Sequence, residues 1–449
     1  MATFAFHTYG CQMNVRESEA AAKALQDAGF LAAASEEAAD IVIINSCSVR
    51  GKAEDKALGK LGLLCATKRD RPGRIIGLMG CMAQRLGEEV FKRVPTLDFA
   101  IGTRCAERIV GAVEAALSGR QTLALRDLHA RPDALSGHLE NGSFSAFVTI
   151  LLGCNRRCTY CIVPDVRGDE WSRPAADVLA EVRALAEKGV KEVTLLGQSI
   201  MNYGLRTPAF FEADPPSPGG YKLPFPRLLE AVAAIPGIER IRFTSGHPSG
   251  VTDELVRLFQ EEPKLCHHLH LPVQSGSTRV LSRMRRGYTR EQYLEAVQRL
   301  RQAVPDIAIT TDVIVGFPGE TAEDFEETRT LMAEAAFDNA FIFKYSPRPG
   351  TVSATWADDV TEAEKAQRNQ VLLGDQDVRG AQLNAALIGT EQEILVEGPS
   401  LRNKDRWSGR TSGNKIVIFT PPAGCRPGDL LRVTIDRAAP QTLYAGCQA

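Results

Sequence analysis

The sequence predicts an α/β protein in three parts: an amino-terminal doubly wound α/β domain, a central partial (β/α)6 TIM-like barrel and a carboxyl-terminal small antiparallel β-barrel. Three observations support this prediction. Apolar strand-like runs alternate with amphipathic segments in residues 1–120, and six more such units follow a polar stretch. Short β segments separated by turns end the chain. Alternating strands and helices are typical of parallel sheets that are covered by helices.

The length and composition are those of a multidomain globular protein. A chain of 449 residues with 44% hydrophobic and 24% charged residues has core material for two to four domains. No run of about 18 apolar residues is present, so we expect no membrane span. The first residues, MATFAFHTYGCQMN, lack the features of a signal peptide, and we therefore expect a cytoplasmic protein.

The cysteine count and the net charge narrow the function classes. Eleven cysteines, an odd number spread along a long chain, argue against a disulfide framework and favour metal binding or thiol chemistry. The formal charge of −2 excludes a protein that is basic throughout. Any nucleic-acid binding must therefore come from a local basic patch.

In the amino-terminal domain, predicted over 1–120, three cysteines follow apolar runs. The strand candidates are TFAFHTYG, DIVIINSC, RIIGLMGC and LDFAIG. Cys11, Cys47 and Cys81 each stand where one of these runs ends. The carboxyl ends of neighbouring strands share one rim of an open α/β sheet, so the three thiols are expected to converge there.

A polar linker is predicted over 121–143 and the barrel over 144–375. The six strand candidates are FSAFVTILLG, KEVTLLGQ, RIRFTSG, HHLHLPVQ, IAITTDVIVGFP and NAFIFKYSP. Six units rather than eight indicate an incomplete barrel, whose chemistry is expected at the carboxyl ends of its strands. The Pro/Gly-rich segment 206–226 is interpreted as a surface loop.

The last predicted domain, 376–449, contains a basic segment. Between 401 and 437, eight Lys and Arg residues oppose three Asp residues, which gives a local charge of +5. Such a patch is either an ordinary solvent-exposed surface or a surface that binds nucleic-acid phosphates. The candidates for RNA contact are Arg402, Lys404, Arg406, Arg410 and Lys415.

The stretch GCNRRCTYC (153–161) places Cys154, Cys158 and Cys161 in one loop. Thiolates at this spacing can hold three corners of a four-iron cluster, which leaves one iron open for a small chelating ligand. The alternative is a zinc site, whose four ligands usually include pairs of cysteines. No second pair follows, and the nearby histidines, His129 and His138, lie upstream in the linker.

Several motifs carry a family resemblance. CNRRCTYC, with Tyr160 before the third cysteine, resembles the radical S-adenosylmethionine motif, and TYGCQMN, NSCSVRGKAEDK and GCMAQR resemble the amino-terminal domain of the methylthiotransferases. HLHLPVQSGSTRVLSRMRRGYTREQY, TTDVIVGFPGET and KYSPRPGT resemble the subgroup that acts on transfer RNA, and the terminal β segment resembles a TRAM domain. The resemblance implies a radical SAM barrel and two 4Fe-4S clusters, an auxiliary one on Cys11, Cys47 and Cys81 and a second on Cys154, Cys158 and Cys161. It also implies two molecules of S-adenosyl-L-methionine per turnover.

The same resemblance implies an activity: insertion of sulfur and a methyl group at C2 of N6-isopentenyladenosine beside the tRNA anticodon. The expected partners are the tRNA anticodon loop, an electron donor such as flavodoxin or ferredoxin, and a sulfur source. No membrane association is expected, and the chain is expected to be a monomer. Two alternatives stay open at this point. The first is a sibling enzyme for threonylcarbamoyladenosine or a ribosomal-protein aspartate. The second is a zinc-stabilised RNA-binding protein without catalysis.

Cofactor contacts are predicted from position at the barrel-strand ends. These candidates are Tyr160, Gly197, Gln198, Ser245, Gln274 and Asp312. Arg348, in SPRPGT, is the candidate for substrate contact. Turn formation or strand termination is the alternative role of each. We expect structural or cavity-lining roles for His267, His268 and His270.

Overall fold

The computed structural model describes residues 2–48, 51–130, 137–138, 143–206, 217–400 and 403–446, with only the backbone described at 51–52. The amino-terminal domain is a six-stranded parallel sheet with strand order β2-β1-β3-β4-β5-β6. Its strands are β1 (Thr3–Tyr9), β2 (Leu31–Ala32), β3 (Ile41–Ser46), β4 (Ile75–Gly80), β5 (Phe99–Ile101) and β6 (Thr122–Ala124). Its helices are α1 (Gln12–Asp27), α2 (Gly51–Ala66), α3 (Cys81–Leu86), α4 (Glu89–Arg93) and α5 (Ile109–Leu117).

Helices cover both faces of this sheet, as the doubly wound prediction requires. Side chains of α1 and α5 pack on one face, and those of α2, α3 and α4 pack on the other. Burial on both faces explains why β3 and β4 are apolar along their whole length. The four predicted strands are confirmed. The short edge strands β2 and β6 were not predicted, because two or three residues carry no periodicity.

The central domain is an open barrel of six parallel strands, as predicted. Two three-stranded sheets, β11-β10-β7 and β12-β13-β14, are joined by a parallel bridge between Ile241 and Leu265. The six strands are β7 (Ser145–Thr149), β10 (Glu192–Leu196), β11 (Arg240–Phe243), β12 (His268–His270), β13 (Ala308–Val315) and β14 (Asn339–Lys344). A two-stranded hairpin of β8 (Leu151–Leu152) and β9 (Trp171–Ser172) flanks the loop that carries the second set of cysteines.

Helices cover the outside of the barrel and bury the apolar face of its strands. The helices of this part are α6 (Val163–Arg167), α7 (Ala175–Glu187), α8 (Pro224–Ala233), α9 (Asp253–Glu261), α10 (Thr278–Arg283), α11 (Arg290–Ala303) and α12 (Ala322–Ala335). No helix in the described ranges combines the length and the apolar character that crossing a membrane requires.

The long helix α13 (Glu362–Ala385) leads from the barrel into a small closed β-barrel. The strands of this barrel are β15 (Glu391–Pro399), β16 (Trp407–Thr411), β17 (Ile416–Phe419), β18 (Leu430–Ala439) and β19 (Thr442–Ala445). All neighbouring pairs are antiparallel except β17 and β19, which pair in parallel and close the barrel. The domain limits at 120 and 375 stay predictions. The structure places β6 just beyond the first limit, and α13 runs across the second.

The terminal barrel docks on the amino-terminal end of the central barrel. Arg242 of β11 donates hydrogen bonds to the backbone oxygens of Thr411 (2.7 Å) and Ser412 (2.9 Å). Arg240 donates to the backbone oxygen of Arg410 (2.6 Å). These contacts close the end of the central barrel that lies opposite the cysteines, so the carboxyl end of its strands is left for chemistry.

Candidate active site

Cys11, Cys47 and Cys81 meet at the carboxyl rim of the amino-terminal sheet. The strand register aligns Tyr9 with Ser46 and Ser46 with Gly80, so the cysteines follow three aligned strand ends. Cys47 and Cys81 are buried, and Cys11 is half-buried. Cys47 shares hydrogen bonds with both other thiols, which raises its own pKa and lowers the pKa values of Cys11 and Cys81. The structure therefore brings the three predicted thiols together.

The local sequence accounts for this convergence. Gly80 precedes Cys81 with φ of 94°, and a Cβ atom there would lie 2.3 Å from Asn45 Oδ1, so only glycine fits. The Asn14 side chain accepts a hydrogen bond from the Cys11 backbone (3.2 Å) and donates one to Asn45 Oδ1 (2.9 Å). This buried amide pair links the turn after β1 to β3. The QMN motif thus positions the first cysteine against the second strand.

Cys154, Cys158 and Cys161 lie in the loop between β8 and α6. Gly153 enters this loop with φ of 72°, and a Cβ atom there would lie 2.1 Å from the backbone oxygen of Asp169. Burial raises the pKa of Cys154, and burial followed by the charge of Cys158 raises the pKa of Cys161 to about 12. Thiols must lose their protons to bind metal, so metal binding at this loop would release protons.

The two sets of cysteines are adjacent in space. Ile162, which follows Cys161, packs in one cluster with Cys81 and with Val166 of α6. Arg167, at the end of α6, forms an ion pair with Glu17 of α1, with N–O distances of 2.9 and 3.2 Å. On the barrel side, Cys11 packs against a cluster that includes Leu152 and Leu196. The rim of the first domain therefore covers the mouth of the barrel.

The donor set fits iron–sulfur clusters better than a single ion. In the described part of the chain, no group of three His, Cys, Asp or Glu side chains is arranged around a single metal position. Thiolates are the usual ligands of iron–sulfur clusters, and each set contributes three of them. Buried oxygens without a hydrogen-bond partner among the described residues lie beside both sets: Ser48 Oγ beside Cys47, and Gln198 Oε1 and Glu170 Oε1 at the barrel mouth. Unpartnered buried oxygens of this kind are suited to bind a polar ligand.

Four of the predicted cofactor residues, Gly197, Gln198, Ser245 and Gln274, follow the carboxyl ends of barrel strands. Ser245 and Gln274 have φ of 65° and 73°, which is strained for residues other than glycine. Strain of this kind is concentrated at functional sites. Gly197 is packed closely, because a Cβ atom there would lie 3.0 Å from Leu151 Cβ. Tyr160, which lies in the cysteine loop, packs edge to face against the ring of Phe317, and the two ring centroids are 6.4 Å apart.

Asp312 was predicted at a strand end, but it lies within β13, three residues before the strand ends, on the inner face of the barrel. Its Oδ2 atom is 3.4 Å from Nε2 of His270, whose ring contacts Phe341 edge to face at 5.9 Å. Thr310 lies on the same face and is 3.0 Å from His270 Nδ1. Phe341 is 46% exposed on this face, which carries Ile314 and Phe343 farther along the two strands. His270, expected to line a cavity, is part of this inner surface.

The residues predicted to contact substrate and RNA have different surroundings. Arg348 is half-buried, with Glu54, Asp55 and Cys47 among its neighbours, so it lies between the barrel and the first set of cysteines. Lys404 is exposed, and Arg402 lies outside the described residues. Lys415 is 2.7 Å from Asp338, and Arg406 is 3.3 Å from the backbone oxygen of Ala445. Arg410 is 2.5 Å from Glu397, so three of these five basic side chains have partners within the protein.

Sequence reasoning did not single out the arginines that surround the cysteines. Arg156 donates to Ser199 Oγ (3.2 Å) and Ser249 Oγ (3.1 Å), which ties the cysteine loop to two strand ends. Arg286 donates to Cys158 Sγ (3.5 Å). Both belong to quoted motifs, CNRRCTYC and MRRGYT, but the spacing of the letters does not show which arginine points inward. The buried ion pair of Arg167 carried no sequence signal.

Comparisons with known proteins agree with this arrangement. The Radical SAM superfamily model matches residues 148–332, the model of Uncharacterized protein family UPF0004 matches residues 3–102, and the TRAM domain model matches residues 385–446. Among solved structures, the radical S-adenosylmethionine methyltransferase TsrM from Kitasatospora setae, with cobalamin and a [4Fe-4S] cluster bound, has a TM-score of 0.54 at 13% identity. The match covers 79% of this chain and 77% of that chain. At this identity the likeness shows a shared fold.

Relatives are similar over nearly the whole chain. The tRNA-2-methylthio-N(6)-dimethylallyladenosine synthase of Akkermansia muciniphila is 45% identical over 97% of this chain and 97% of its own. The proteins of the same name from Syntrophus aciditrophicus and Nocardia farcinica are each 43% identical, over 96% and 99% of this chain and 91% and 88% of their own. These similarities and the three matched domains lead to one conclusion. The chain belongs to the tRNA-2-methylthio-N(6)-dimethylallyladenosine synthase family of the radical SAM superfamily.

Proposed function

We propose that this protein is a tRNA methylthiotransferase that inserts sulfur and a methyl group at C2 of N6-isopentenyladenosine next to the anticodon. The observation that carries the proposal is the identity of 41–45% to relatives of that name over 96% or more of this chain. The presence of two separate cysteine sets at one barrel mouth supports it.

Each cysteine set has its own task in this proposal. Cys11, Cys47 and Cys81 would hold the auxiliary cluster, and Cys154, Cys158 and Cys161 would hold the cluster that binds S-adenosyl-L-methionine. When bound, these groups supply the sulfur, the methyl group and the carbon radical that an unactivated aromatic C–H bond requires. The protein's part is to hold the two sites side by side and to exclude water from the space between them. The packing of Ile162 against Cys81 supports such proximity.

The predicted cofactor contacts fit this assignment. Ser245 and Gln274 end barrel strands in strained conformations, and Gln198 has a buried side-chain oxygen without a partner among the described residues. These three, with Tyr160, Gly197 and Asp312, would surround S-adenosyl-L-methionine. Arg348 lies between the two domains beside Cys47, where a base that has left the anticodon stack would enter.

The inner face of the barrel favours an apolar N6 substituent. The exposed ring of Phe341 offers apolar surface beside His270, and Asp312 places a carboxylate close by. An isopentenyl group gains contact with the ring. The carboxylate of a threonylcarbamoyl group would meet the like charge of Asp312 and lose its water. This is the reason to prefer the isopentenyl substrate over the sibling substrates.

The remaining partners follow from the reaction. Reductive cleavage needs an electron donor such as flavodoxin or ferredoxin, and repeated turnover needs a sulfur source. We place the enzyme in the cytoplasm, where tRNA is modified, and expect it to act as a monomer. Lys404, Arg402, Arg406, Arg410 and Lys415 were predicted to contact RNA. Of these, exposed Lys404 is the proposed phosphate contact, since Arg406, Arg410 and Lys415 have internal partners.

Nucleoside analysis of tRNA tests the proposal. We expect anaerobically reconstituted protein to convert N6-isopentenyladenosine in tRNA to its 2-methylthio form, and a strain without the gene to accumulate the unconverted nucleoside. Formation of 2-methylthio-threonylcarbamoyladenosine instead would favour the sibling enzyme. A colourless protein that binds zinc and no iron would favour the non-catalytic alternative.

A further inference from the structure

Arg286 contacts the second cysteine set directly. Its Nη1 donates to Cys158 Sγ at 3.5 Å, its Nη2 donates to the backbone oxygen of Pro272 at 3.1 Å, and its Nε donates to the Tyr288 hydroxyl at 3.0 Å. The side chain is buried, with 8% of the residue exposed. Three bonds to three different groups fix the plane of the guanidinium, so its contact with the sulfur is held by the protein.

The groups on both sides of this contact are also fixed. The Tyr288 hydroxyl donates to the backbone oxygen of Val273 at 2.8 Å. Thr159, next to Cys158, donates from its backbone nitrogen to Met284 O (3.1 Å) and from its hydroxyl to Arg283 O (3.0 Å). The cysteine loop and the segment that carries Arg286 are therefore tied together, which preserves the nitrogen–sulfur distance.

Among the described residues, no carboxylate forms an ion pair with the buried guanidinium of Arg286. Its guanidinium faces the phenols of Tyr160 and Tyr288, the Cys158 thiol and the backbone oxygen of Pro272. The cation of Arg156 and the ring of His247 lie nearby. A buried guanidinium without an anion is unfavourable. Arg167, by contrast, is paired with Glu17 beside the first cysteine set. Near the second set, Arg156 and Arg286 are two cations, and the carboxylate of Glu170 is close to Arg156 and Cys154. The two sets thus differ in how far the cations beside them are balanced.

We propose that Arg286 is a positioning residue that raises the reduction potential of the cluster held by Cys154, Cys158 and Cys161. Hydrogen bonds to cluster sulfurs and a nearby positive charge stabilise the reduced state, which carries one more negative charge. The inference rests on the proposed function, because it takes Cys158 as a cluster ligand. Beside the auxiliary cluster, the charge of Arg167 is neutralised by Glu17, so Arg167 would not raise the reduction potential of that cluster. An electron that enters the protein would then favour the cluster at which S-adenosyl-L-methionine is cleaved.

A redox titration followed by electron paramagnetic resonance tests this assignment. A background in which Cys11, Cys47 and Cys81 are replaced by alanine leaves one cluster, so that the signal has one source. In this background we expect R286Q to shift the midpoint potential to a more negative value and R286K, which keeps the charge, to shift it less. R285Q is the matched control, because Arg285 is the exposed neighbour and loses the same charge. We expect no shift from R285Q.

Samples are compared at equal iron and sulfide content per chain. An unchanged midpoint in R286Q with a full cluster would overturn the proposal, as would an equal shift in R285Q. If R286Q does not retain its cluster, the midpoint potentials of R286K and Y288F test the proposal. Both variants keep a cation at position 286 but weaken the geometry that holds it against Cys158 Sγ. A midpoint in these two variants equal to that of the parent would then overturn it. Failure of the proposed function has a different appearance: the parent would then form no methylthio product, whatever the potentials are.

Discussion

Glu17 of α1 and Arg167 of α6 form a two-pronged ion pair across the boundary between the amino-terminal domain and the barrel. The two N–O distances are 2.9 and 3.2 Å, and the side chains are 5% and 3% exposed. Cys11 precedes α1, and Cys161 precedes α6. The ion pair therefore joins the two elements that carry the two cysteine sets, and it fixes their relative position.

Removal of the Glu17 carboxylate should destabilise the folded protein strongly. Glu17→Gln leaves the guanidinium of Arg167 buried without its counter-charge, which costs about 3–5 kcal/mol of the free energy of unfolding. Urea unfolding followed by circular dichroism measures this loss. Glu89→Gln is the control, since Glu89 forms only exposed pairs with Lys92 and Arg93, and it should change stability by less than about 1 kcal/mol. Equal stability of the two variants would contradict this account.

The sequence predicted the parts of the site that depend on local patterns. Cys47 and Cys81 stand directly after apolar runs, and parallel strands place such ends on one rim. The contacts of Arg167 with Glu17 and of Arg286 with Cys158 could not be predicted, because they join residues 150 and 128 positions apart. Such contacts depend on how separate helices, strands and loops pack together. The hydrophobic periodicity of a short stretch of sequence contains no information about that packing.

The same limit applies to the basic terminal domain. The charge count predicted five RNA contacts, but it does not show which cations are already paired. Lys415 has its partner Asp338 77 positions away, in the connection before β14. Short edge strands such as β2 were missed for a related reason: their pairing with β1 is decided by the sheet and not by their own two residues.

The two cysteine sets should be separable by mutation. Cys47→Ala removes the central thiol of the first set, so we expect loss of the methylthio product while reductive cleavage of S-adenosyl-L-methionine to 5′-deoxyadenosine continues. Cys158→Ala should abolish both. Liquid chromatography with mass spectrometry measures both products in one reaction.

Cys65→Ala is the control for these variants. Cys65 is half-buried on α2, outside both sets, and its replacement should leave both products. The iron content of Cys47→Ala should fall to about half that of the parent. Loss of both products from a folded Cys47→Ala protein would contradict separate tasks for the two sets.

Phe341 should contribute to recognition of the isopentenyl group. Phe341→Ala removes the exposed ring from the inner face of the barrel and should lower kcat/KM for tRNA that carries N6-isopentenyladenosine by about 10- to 100-fold. Phe341→Leu retains apolar surface and should lose much less. Single-turnover assays on the same tRNA compare the variants. Equal activity of the alanine variant and the parent would exclude contact between this ring and the substrate.

Salt dependence should separate the basic residues of the terminal domain. Lys404 is exposed, so Lys404→Gln should reduce the slope of log K for tRNA binding against log salt by about 1. Lys415→Gln should leave the slope unchanged, because Lys415 is bound to Asp338 and to Asn384. Filter binding over a series of potassium chloride concentrations gives both slopes. A reduced slope for Lys415→Gln alone would reverse the assignment.

Glu181 of α7 should make the junction of the domains sensitive to acid. It contacts Arg16 of α1 (3.2 Å), Arg173 (2.6 Å) and His138 of the segment before the barrel. Burial alone would raise the pKa of Glu181, but the hydrogen bond from His138 and the charges of Arg173 and Arg16 outweigh it and lower the pKa to about 2. A lowered pKa means that the stabilisation is complete above the unfolded value of roughly 4.3 and is lost as the pH falls toward 2.

The expected result is a stability difference that depends on pH. At pH 6 the parent should exceed Glu181→Gln by about 3 kcal/mol in the free energy of unfolding, since Arg16 and Arg173 lose a shared carboxylate. Between pH 5 and pH 3 this difference should shrink, because the unfolded parent binds a proton at Glu181 that the folded parent, with a pKa of about 2, does not bind. Glu187→Gln, an exposed change on the same helix, should follow the parent at every pH. Unfolding by urea at several pH values measures the difference in the free energy of unfolding. A difference that stays constant down to pH 3 would show that Arg16, Arg173 and His138 do not lower the pKa of Glu181.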